Sequence, residues 1–319
     1  MLENKRARRI RLLMCYPEYF KIPGRQNARM NVNRQPNKKL ANAQWTALFN
    51  NYQRLGFQVH ILEPNEYLHD LCFTANGALS QYNVKTGRNE AVLSNFLHPN
   101  RELEKLEYRK ALKELGYLEE NIFEIPESIK VEGQGDWISM AKNYLFGCGI
   151  RSYPEAAEHV KRLLQLEKEV IALRLLGDSF YHADTCVFSL RYKNAIIYYP
   201  GAFAGESVDK LRKLNEDKFE VSDSLANHLV CNSVYLGDIV FLNIDFSDYS
   251  AESFESSAYG RFLAKDGTDI RYKELLDHEK DYEAVLKFIW DRGYDIIPVY
   301  TSEFEKSGGG ARCLTLFLD

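Results

Sequence analysis

Short apolar runs alternate with amphipathic segments along most of this 319-residue chain. The run IRLLMC at residues 10–15 predicts a strand, and a polar loop with prolines and a glycine follows it past Asn33. From Lys38 to Leu55 the apolar residues recur at helical spacing, and Gly56 and the run FQVHIL come next. The pattern therefore predicts a strand, a helix, a glycine turn and a second strand.

The order of helix, glycine and strand recurs farther along the chain. Helices predicted from Arg101 and from Glu155 are followed by Gly116 and Gly177, so the first three such glycines are 60 and then 61 residues apart. Gly293 stands before the run DIIPVY in the same way. A step of this size is typical of repeated supersecondary units. Five units would fill the chain as a single α/β domain over residues 1–319.

Composition narrows the class of protein. Hydrophobic residues make up 45% and charged residues 27%, and no apolar run approaches the roughly eighteen residues of a membrane helix. The formal net charge of −4 predicts no general attraction to nucleic acid. Residues 1–10 form a basic tail without the apolar segment of a secretory signal, and residues 245–275 have the character of an insertion. We expect a cytoplasmic protein.

The cysteines differ in their surroundings. Six are scattered without a CxxC pair, which argues against a zinc site and a disulfide framework. Four of them, and one histidine, lie in apolar runs and are predicted to pack in the core: Cys15, Cys148, Cys186, Cys231 and His60. Cys313 instead follows Gly308–Gly310 and precedes LTLFL, which predicts a buried terminal strand. This position suits a nucleophile, although an ordinary buried cysteine would give the same pattern.

Three other segments place polar groups beside glycines or apolar runs. FTANGAL contains Asn76 before a glycine, which by itself is a turn signal. VEGQGDW places Glu132 and Asp136 on either side of two glycines, where they could bind a cation or merely solvate a turn. In YHADTCVFSL, His182 and Asp184 are two residues apart, so a strand would point both to one face. Such a pair is either an acid/base unit or two groups that satisfy each other.

Taken in order, VEGQGD, YHADTCVF and KSGGGARCLTL resemble the amidinotransferase and arginine deiminase superfamily. The resemblance implies the pentein fold, a five-fold pseudosymmetric α/β propeller. CYPEYF, FTANGAL and SNFLHPNRE are most similar to the arginine dihydrolase branch, which is related to the dimethylarginine dimethylaminohydrolases. The resemblance extends from about Cys15 to the C-terminus.

The resemblance also implies catalytic roles. Cys313 is expected to attack the central guanidinium carbon of an arginine-like substrate and to form a thiouronium-type intermediate. His182 is expected to protonate the leaving nitrogen and then activate water, while Glu132 orients and polarises it. Asp184 is expected to bind the guanidinium nitrogens, since a planar cation fits a carboxylate and favours a nearby thiolate. No metal or organic cofactor is implied.

Substrate specificity depends on further positions. Asn76 stands where deiminases carry a second guanidinium-binding Asp, and the dihydrolase branch associates this Asn with hydrolysis beyond citrulline to ornithine, ammonia and carbon dioxide. Asn95 stands where the resemblance predicts an Arg for the substrate α-carboxylate. Arg151 matches another carboxylate-binding position, and Arg101 is a second candidate. The other substrate-binding candidates are Asp136 and Asn27.

These features favour an arginine dihydrolase that acts on a small guanidine molecule. No nucleic-acid or membrane partner is expected, and an oligomer is possible. The alternatives on the same fold are an arginine or agmatine deiminase, a dimethylarginine dimethylaminohydrolase and an amidinotransferase. A pentein binding module, as in the ribosome anti-association factors, is the non-enzyme alternative. Presence of the whole Cys, His, Glu and Asp set weighs against it.

Overall fold

The computed structural model describes residues 10–244 and 280–318, which contain fifteen strands in five three-stranded sheets. The strands are β1 Arg11–Cys15, β2 Gln58–Leu62, β3 Ala78–Asn83, β4 Arg88–Leu93, β5 Ile122–Phe123, β6 Trp137–Ser139, β7 Asn143–Cys148, β8 Glu169–Arg174, β9 Val187–Leu190, β10 Ala195–Tyr198, β11 Asp217–Glu220, β12 Val234–Leu236, β13 Ile239–Asn243, β14 Asp295–Val299 and β15 Leu316–Phe317. The α-helices are α1 Lys38–Arg54, α2 Glu104–Glu114, α3 Gly133–Asp136, α4 Ala156–Leu163, α5 Gly205–Lys213, α6 Asp223–Asn227, α7 Lys280–Trp290 and α8 Ser302–Glu305.

All five sheets have the same internal arrangement. Their orders are β15-β1-β2, β3-β4-β5, β6-β7-β8, β9-β10-β11 and β12-β13-β14. In each sheet the middle strand is antiparallel to the first strand of this order and parallel to the third. We call β3, β6, β9, β12 and β15 the inner strands, because residues from all five line one common cavity. The repeated unit predicted from the sequence is therefore present five times.

The two ends of the chain share one sheet. The C-terminal strand β15 pairs with β1, so that Leu12 lies opposite Phe317. Helix α1 then connects β1 to β2, beginning after Asn37, whose side chain accepts a hydrogen bond from the amide of Leu40. It buries a face that includes Tyr52, as its helical periodicity predicts. The N-terminal and C-terminal segments thus complete the same repeated unit.

The third unit differs from its prediction. The helix predicted from Glu155 is present as α4, but its predicted end at Gly177 was wrong, because α4 ends at Leu163 and β8 occupies most of the remaining segment. Gln165, with φ of +49°, makes the left-handed turn after this helix. The strand EVIALR contains Val and Ile, whose branched side chains favour extended backbone. The equal spacing of the first three glycines therefore did not measure the repeat.

Three other expectations concern short segments. The predicted terminal strand LTLFL is a strand only at Leu316–Phe317, since the residues before it form a turn. The predicted insertion at residues 245–275 and residues 1–9 of the basic tail lie outside the described residues. Over residues 10–244 and 280–318, none of the helices combines the length and the apolar character that crossing a bilayer requires.

Candidate functional site

Five segments that lead into the inner strands carry the candidate site. Each unit contributes one polar or thiol side chain within three residues of the start of its inner strand: Asn76, Asp136, Asp184, Asn232 and Cys313. Short helical turns at 74–76, 133–136 and 183–185 hold three of these segments. The expectation that His182 and Asp184 share a strand was wrong, because Ala183, the residue between them, begins the turn at 183–185. The equivalent ends of five strands thus gather the predicted chemistry.

Cys313 is held by two side chains. Its Sγ lies 3.2 Å from Nδ2 of Asn232 and 3.4 Å from Oδ2 of Asp184. The side-chain oxygen of Asn232 accepts hydrogen bonds from the backbone amides of Cys313 and Gly310, at 3.1 and 2.8 Å. One amide side chain therefore fixes both the glycine turn and the sulfur.

Asn232 is the site residue that sequence reasoning missed. It stands two residues before β12 in the run CNSVYL, as Asn76 stands two residues before β3. An asparagine beside an apolar run has no acid, thiol or imidazole to mark it. Its place relative to the inner strand is the signal that could have identified it.

The glycines before Cys313 are required by their neighbours. Gly308 has φ of +86°, and a Cβ there would lie 2.7 Å from the ring of Tyr181. A Cβ at Gly309 would lie 2.6 Å from the ring of Phe73. The close approach expected for these glycines is thus made to the protein's own aromatic rings.

A second group joins His182, Glu132 and Arg151. Oε2 of Glu132 lies 2.8 Å from Nε2 of His182 and accepts a hydrogen bond from Nη1 of Arg151 at 3.0 Å. The other oxygen, Oε1, accepts the backbone N–H of Leu97 at 3.2 Å. All three charged or titratable side chains are at most 3% exposed. The predicted contact between Glu132 and His182 is therefore present in the structure.

The charge state of this group follows from burial and pairing. Burial lowers the pKa of His182 to about 4, although its hydrogen bond to the Glu132 carboxylate acts in the opposite direction. Burial alone would raise the pKa of Glu132, but Arg151 and His182 hold it well below its ordinary value. At neutral pH the imidazole is thus neutral and faces an anionic carboxylate. It donates Nε2–H to Glu132, which leaves Nδ1 as an acceptor.

Asn76 lies on the other side of the imidazole. Its Nδ2 is 3.4 Å from Nδ1 of His182, and its Oδ1 accepts a hydrogen bond from Nη1 of Arg101 at 3.0 Å. Arg101 in turn makes a two-pronged ion pair with Glu104, at 2.7 and 2.8 Å. Because Arg101 only donates hydrogen bonds, it directs the NH₂ group of Asn76 toward His182.

The two arginines expected to bind a substrate carboxylate are engaged with the protein. The second Nη atom of Arg151 donates to the backbone oxygen of Gln26 at 3.1 Å, and Arg101 is paired with Glu104. Asn95, which replaces an expected Arg, donates to the backbone oxygens at 127 and 129 and so braces a neighbouring turn. None of these three side chains presents a free charge to the site in this structure.

Asp136 and Asn27 also make contacts within the protein. Oδ2 of Asp136 accepts the hydroxyl of Ser152 at 2.6 Å, and Oδ1 accepts the backbone N–H of Ala183 at 3.1 Å. This second bond braces the backbone next to His182. Asn27 donates to the backbone oxygen at position 307, at 2.9 Å, and joins the loop of residues 16–37 to the glycine turn.

Asp184 differs from Glu132 and Asp136 because one of its oxygens has no hydrogen-bond partner among the described residues. Its Oδ1 is buried without a hydrogen bond, while Oδ2 accepts from the thiol of Cys313. Burial raises the pKa of Asp184 to about 7, opposed by the nearby guanidinium of Arg312. Burial and the Asp184 carboxylate raise the pKa of the Cys313 thiol well above its ordinary value. An unsatisfied acceptor thus lies beside a thiol that is protonated in the unliganded protein.

The site is closed in this structure. All nine residues predicted for it are at most 4% exposed: Cys313, His182, Glu132, Asp184, Asn76, Arg151, Asp136, Asn27 and Arg101. The loop of residues 16–37 closes part of it, since Gln26 contacts Arg151 and also donates to Asp70 at 2.9 Å. A ligand therefore has to displace surface segments before it reaches Cys313.

Most of this chain aligns with relatives of known activity. The chain is 30% identical over 242 residues to the N(G),N(G)-dimethylarginine dimethylaminohydrolase of Mycobacterium tuberculosis, covering 76% of each protein. It is 28% identical over 313 residues to the bifunctional arginine dihydrolase/ornithine cyclodeaminase AgrE of Nostoc sp., covering 97% of this chain and 38% of AgrE. It covers 37% of the bifunctional relative ArgZ of Synechocystis sp.. The chain thus spans about two fifths of the length of these two bifunctional relatives.

A solved structure supports the same relationship. The N-terminal domain of ArgZ, an arginine dihydrolase of cyanobacteria, was crystallised with its substrate and matches with a TM-score of 0.76 at 26% identity. The match covers 97% of this chain and 98% of that domain. The predicted pentein fold is therefore confirmed, and so is the predicted resemblance to arginine dihydrolases and dimethylarginine hydrolases.

The family model provides the assignment. The model described as N,N dimethylarginine dimethylhydrolase, eukaryotic, matches residues 18–255, which is most of the chain. Its name and those of the relatives describe hydrolases that act on guanidine compounds. The chain therefore belongs to the dimethylarginine dimethylaminohydrolase family, within the guanidine-modifying pentein superfamily.

Proposed function

We propose that this protein is a hydrolase that acts on the guanidinium group of arginine, or of a close relative, through a covalent intermediate on Cys313. Arginine dihydrolase activity, which yields ornithine, ammonia and carbon dioxide, is the reaction that we favour. The observation that carries the proposal is the buried Oδ1 of Asp184, an acceptor without a donor next to the thiol of Cys313.

A guanidinium ion matches this acceptor in shape and charge. A carboxylate binds a planar guanidinium through parallel N–H···O bonds, so Asp184 would place the central carbon close to Cys313. The substrate cation also offsets the negative field that keeps the thiol protonated, since an opposite charge favours the ionised form. Binding of the correct substrate would therefore activate the nucleophile.

The first chemical step exchanges a C–N bond for a C–S bond. The thiol proton passes to Nδ1 of His182, and Sγ of Cys313 attacks the guanidinium carbon. The protonated imidazole, stabilised by Glu132 at 2.8 Å, returns this proton to the departing nitrogen. Ammonia leaves with the bonding electron pair, and a positively charged thiouronium remains on Cys313.

Water completes the first hydrolysis. His182 takes a proton from water, and the hydroxide adds to the thiouronium carbon. The C–S bond then breaks, the thiol is restored, and citrulline is released while the extra proton ends on ammonia. Arg151 has a positioning role in this proposal, because it helps to hold Glu132 against the imidazole.

Asn76 supports the step beyond citrulline. Hydrolysis of the ureido group consumes a second water and releases ornithine and carbamate, which decomposes to ammonia and carbon dioxide. A neutral ureido group has no charge for a second carboxylate to bind, whereas an amide can both donate and accept hydrogen bonds. Arg101 fixes the orientation of this amide.

Dimethylarginine hydrolysis is the second candidate function. The family model and the M. tuberculosis relative favour it. The same attack by Cys313 would then expel dimethylamine and stop at citrulline. Arg151 and Arg101 are engaged with Glu132 and Glu104, so recognition of a substrate α-carboxylate by either requires rearrangement of these pairs.

Product analysis tests the proposal. The protein is incubated separately with L-arginine, agmatine and asymmetric dimethylarginine, and the products are resolved by mass. The proposal predicts ornithine from arginine, with two ammonia molecules for each ornithine. Citrulline as the end product from arginine contradicts the dihydrolase assignment, and citrulline with dimethylamine from dimethylarginine alone supports the second candidate. Absence of turnover with all three contradicts guanidine hydrolysis and favours a binding module.

A further inference from the structure

A cavity of about 190 Å³ lies along the inner strands, apart from the candidate site. All five inner strands line it, through residues 79–81, 137–139, 187–189, 234–235 and 317. The cavity also reaches Gln134, Ser233 and Arg312, which precede the inner strands and are neighbours of the candidate site in sequence. Cys313, His182 and Asp184 are not among its lining residues.

The charged side chains that line the cavity are all positive among the described residues. Among the described residues that line it, Arg191 and Arg312 are the charged side chains, and none is Asp or Glu. Neither arginine makes an ion pair with a carboxylate in the described part of the chain. Arg312 interacts electrostatically with Asp184, but neither guanidinium group is held in an ion pair with a described residue, so together they create a positive potential in the cavity.

The two arginines do not use all of their N–H groups in hydrogen bonds with described residues, so they can also donate to a ligand. Arg312 donates to Oε1 of Gln134 at 3.0 Å and to the backbone oxygen of Thr315 at 2.5 Å. Arg191 donates to the hydroxyls of Ser139 and Tyr192, at 3.1 and 2.8 Å, but its buried Nε has no partner. Arg312 is partly exposed and lines the cavity, although burial lowers its pKa.

The cavity walls favour an apolar body attached to the anion. Trp137, Phe188, Tyr235 and Phe317 contribute aromatic surface, and serine hydroxyls are interspersed among them. A cavity of about 150 Å³ can accept benzene, so 190 Å³ suits a small aromatic or branched aliphatic group. Guanidinium groups bind carboxylates in a planar two-pronged geometry, and aromatic walls bind the remainder.

We propose that this cavity is a second binding site, which takes a small organic carboxylate with an aromatic or branched apolar body. The carboxylate contacts Arg312 and Arg191, and the apolar body contacts the aromatic walls. The site is separate from the guanidine pocket and carries the opposite charge preference.

Arg312 connects the two sites. Its backbone N–H donates to the backbone oxygen of Asn232 at 3.0 Å, and the side chain of Asn232 lies 3.2 Å from Sγ of Cys313. The Arg312 cation also lowers the pKa of Asp184. An anion on Arg312 offsets this effect, so occupancy of the cavity favours protonated Asp184 and slows turnover near neutral pH. This consequence rests on the proposed function, whereas the binding site itself does not.

Binding of benzoate provides the direct test. The full-length protein is titrated by calorimetry with benzoate, benzamide and benzylamine. Saturable binding of benzoate with a Kd below about 10 mM is expected, and neither the neutral nor the cationic analogue should bind comparably. Arg312→Gln and Arg191→Gln should each weaken benzoate binding by about tenfold or more, whereas Arg212→Gln, at an exposed arginine paired with Glu220, should not change it.

The outcomes separate this inference from the proposed activity. Absence of saturable benzoate binding overturns the inference, and so does equal binding of benzylamine or unchanged binding in Arg191→Gln. Arg191→Gln is informative even where Arg312→Gln does not fold, because Arg191 lies away from the nucleophile in sequence and in contacts. Benzoate binding without guanidine turnover would uphold the cavity site and contradict the proposed function alone.

Discussion

The candidate site and the cavity differ in how their charges are satisfied. In the candidate site, Glu132 lies within hydrogen-bond distance of Arg151 and His182, and all three are buried. Along the cavity, Arg191 and Arg312 have hydrogen bonds but no carboxylate partner among the described residues. The candidate site combines a buried ionic network with an Asp184 oxygen that has no donor, and the cavity holds two guanidinium groups that make no ion pair with a described residue.

This difference follows from where the residues lie in the repeated unit. The residues just before the inner strands are in turns, where side chains of neighbouring units converge and the backbone is free to bond with them. The strand residues that line the cavity are apolar, hydroxyl or amide side chains, and its two arginines lie just outside the strands. The candidate site therefore has fixed polar contacts, whereas the cavity next to it is a ligand-sized volume.

The largest expected effect concerns Cys313. Cys313→Ser should reduce turnover of the guanidine substrate by at least about 10³-fold, because a serine hydroxyl is a poor nucleophile without the acidity of a thiol. Cys148→Ser is the matched control, since Cys148 is also buried but its thiol donates to the backbone oxygen of Leu173 rather than to Asp184. Steady-state kinetics and the thermal midpoint are measured for both variants. Comparable activity of Cys313→Ser and the wild type would exclude Cys313 as the nucleophile.

The next effect concerns the buried ion pair. Glu132→Gln should lower the free energy of unfolding by about 3–5 kcal/mol, because Arg151 then remains buried without its anion. Turnover should fall as well, since His182 loses the carboxylate that stabilises its protonated form. Denaturant unfolding and kcat report the two effects separately.

A surface pair supplies the control for that variant. Glu220→Gln removes the partner of Arg212 at an exposed position and should change stability by less than about 1 kcal/mol. Equal stability losses in Glu220→Gln and Glu132→Gln would show that the catalytic network is no more tightly coupled than a surface pair.

Asn76→Asp should change the product more than the rate. The new carboxylate keeps its bond to Arg101 but presents an acceptor to Nδ1 of His182, which favours the protonated imidazole. Reaction with arginine should then stop at citrulline, as measured by mass-resolved products over time. Ornithine formed at the wild-type ratio would show that Asn76 does not control the second hydrolysis.

The smallest effect is a pH dependence. The pKa of Asp184 is about 7 in the unliganded protein, so its carboxylate is available to a guanidinium only above that pH. We expect kcat/KM for the guanidine substrate to rise as the pH increases from 5 through 7 and to level above about pH 8, since this ratio reports groups of the free enzyme. A kcat/KM that stays constant from pH 5 to 8 would contradict the assigned role of Asp184.

Stability gives an independent check of the same group. Because the pKa of Asp184 is raised on folding from 3.8 to about 7, the unfolded state ionises first as pH increases. Folding stability contributed by the neutral carboxyl is therefore present below about pH 4 and is lost progressively up to about pH 7. Asp184→Asn should remove this loss, so its stability relative to the wild type should be greater at pH 8 than at pH 4.

The sequence predicted those parts of the site that chemistry makes conspicuous. A cysteine after three glycines, a His near an Asp and a Glu between glycines are few and ordered, and the structure places them close together. The recurring order of helix, glycine and strand likewise predicted five α/β units, although Gly177 does not follow a helix. The catalytic roles stay predictions, because the contacts do not by themselves demonstrate a reaction.

Other features depend on contacts across the fold and were not predicted. Asn232 has no distinctive chemistry until its amide is seen between Gly310 and Cys313. Arg151 pairs with Glu132, which lies 19 residues away in sequence. The length and charge of the Arg151 side chain suited a substrate carboxylate equally well. The helix predicted from Glu155 was linked to Gly177, but branched residues in the segment between them form β8.

Selective labelling of Cys313 tests the central claim most directly. The protein is treated with an arginine-like haloacetamidine, and each of the six cysteines is assayed by peptide mass spectrometry. The account predicts that Cys313 is labelled first, although it is as buried as Cys148, and that excess arginine slows this labelling. Preferential labelling of another cysteine, or a rate at Cys313 that arginine does not change, would contradict it.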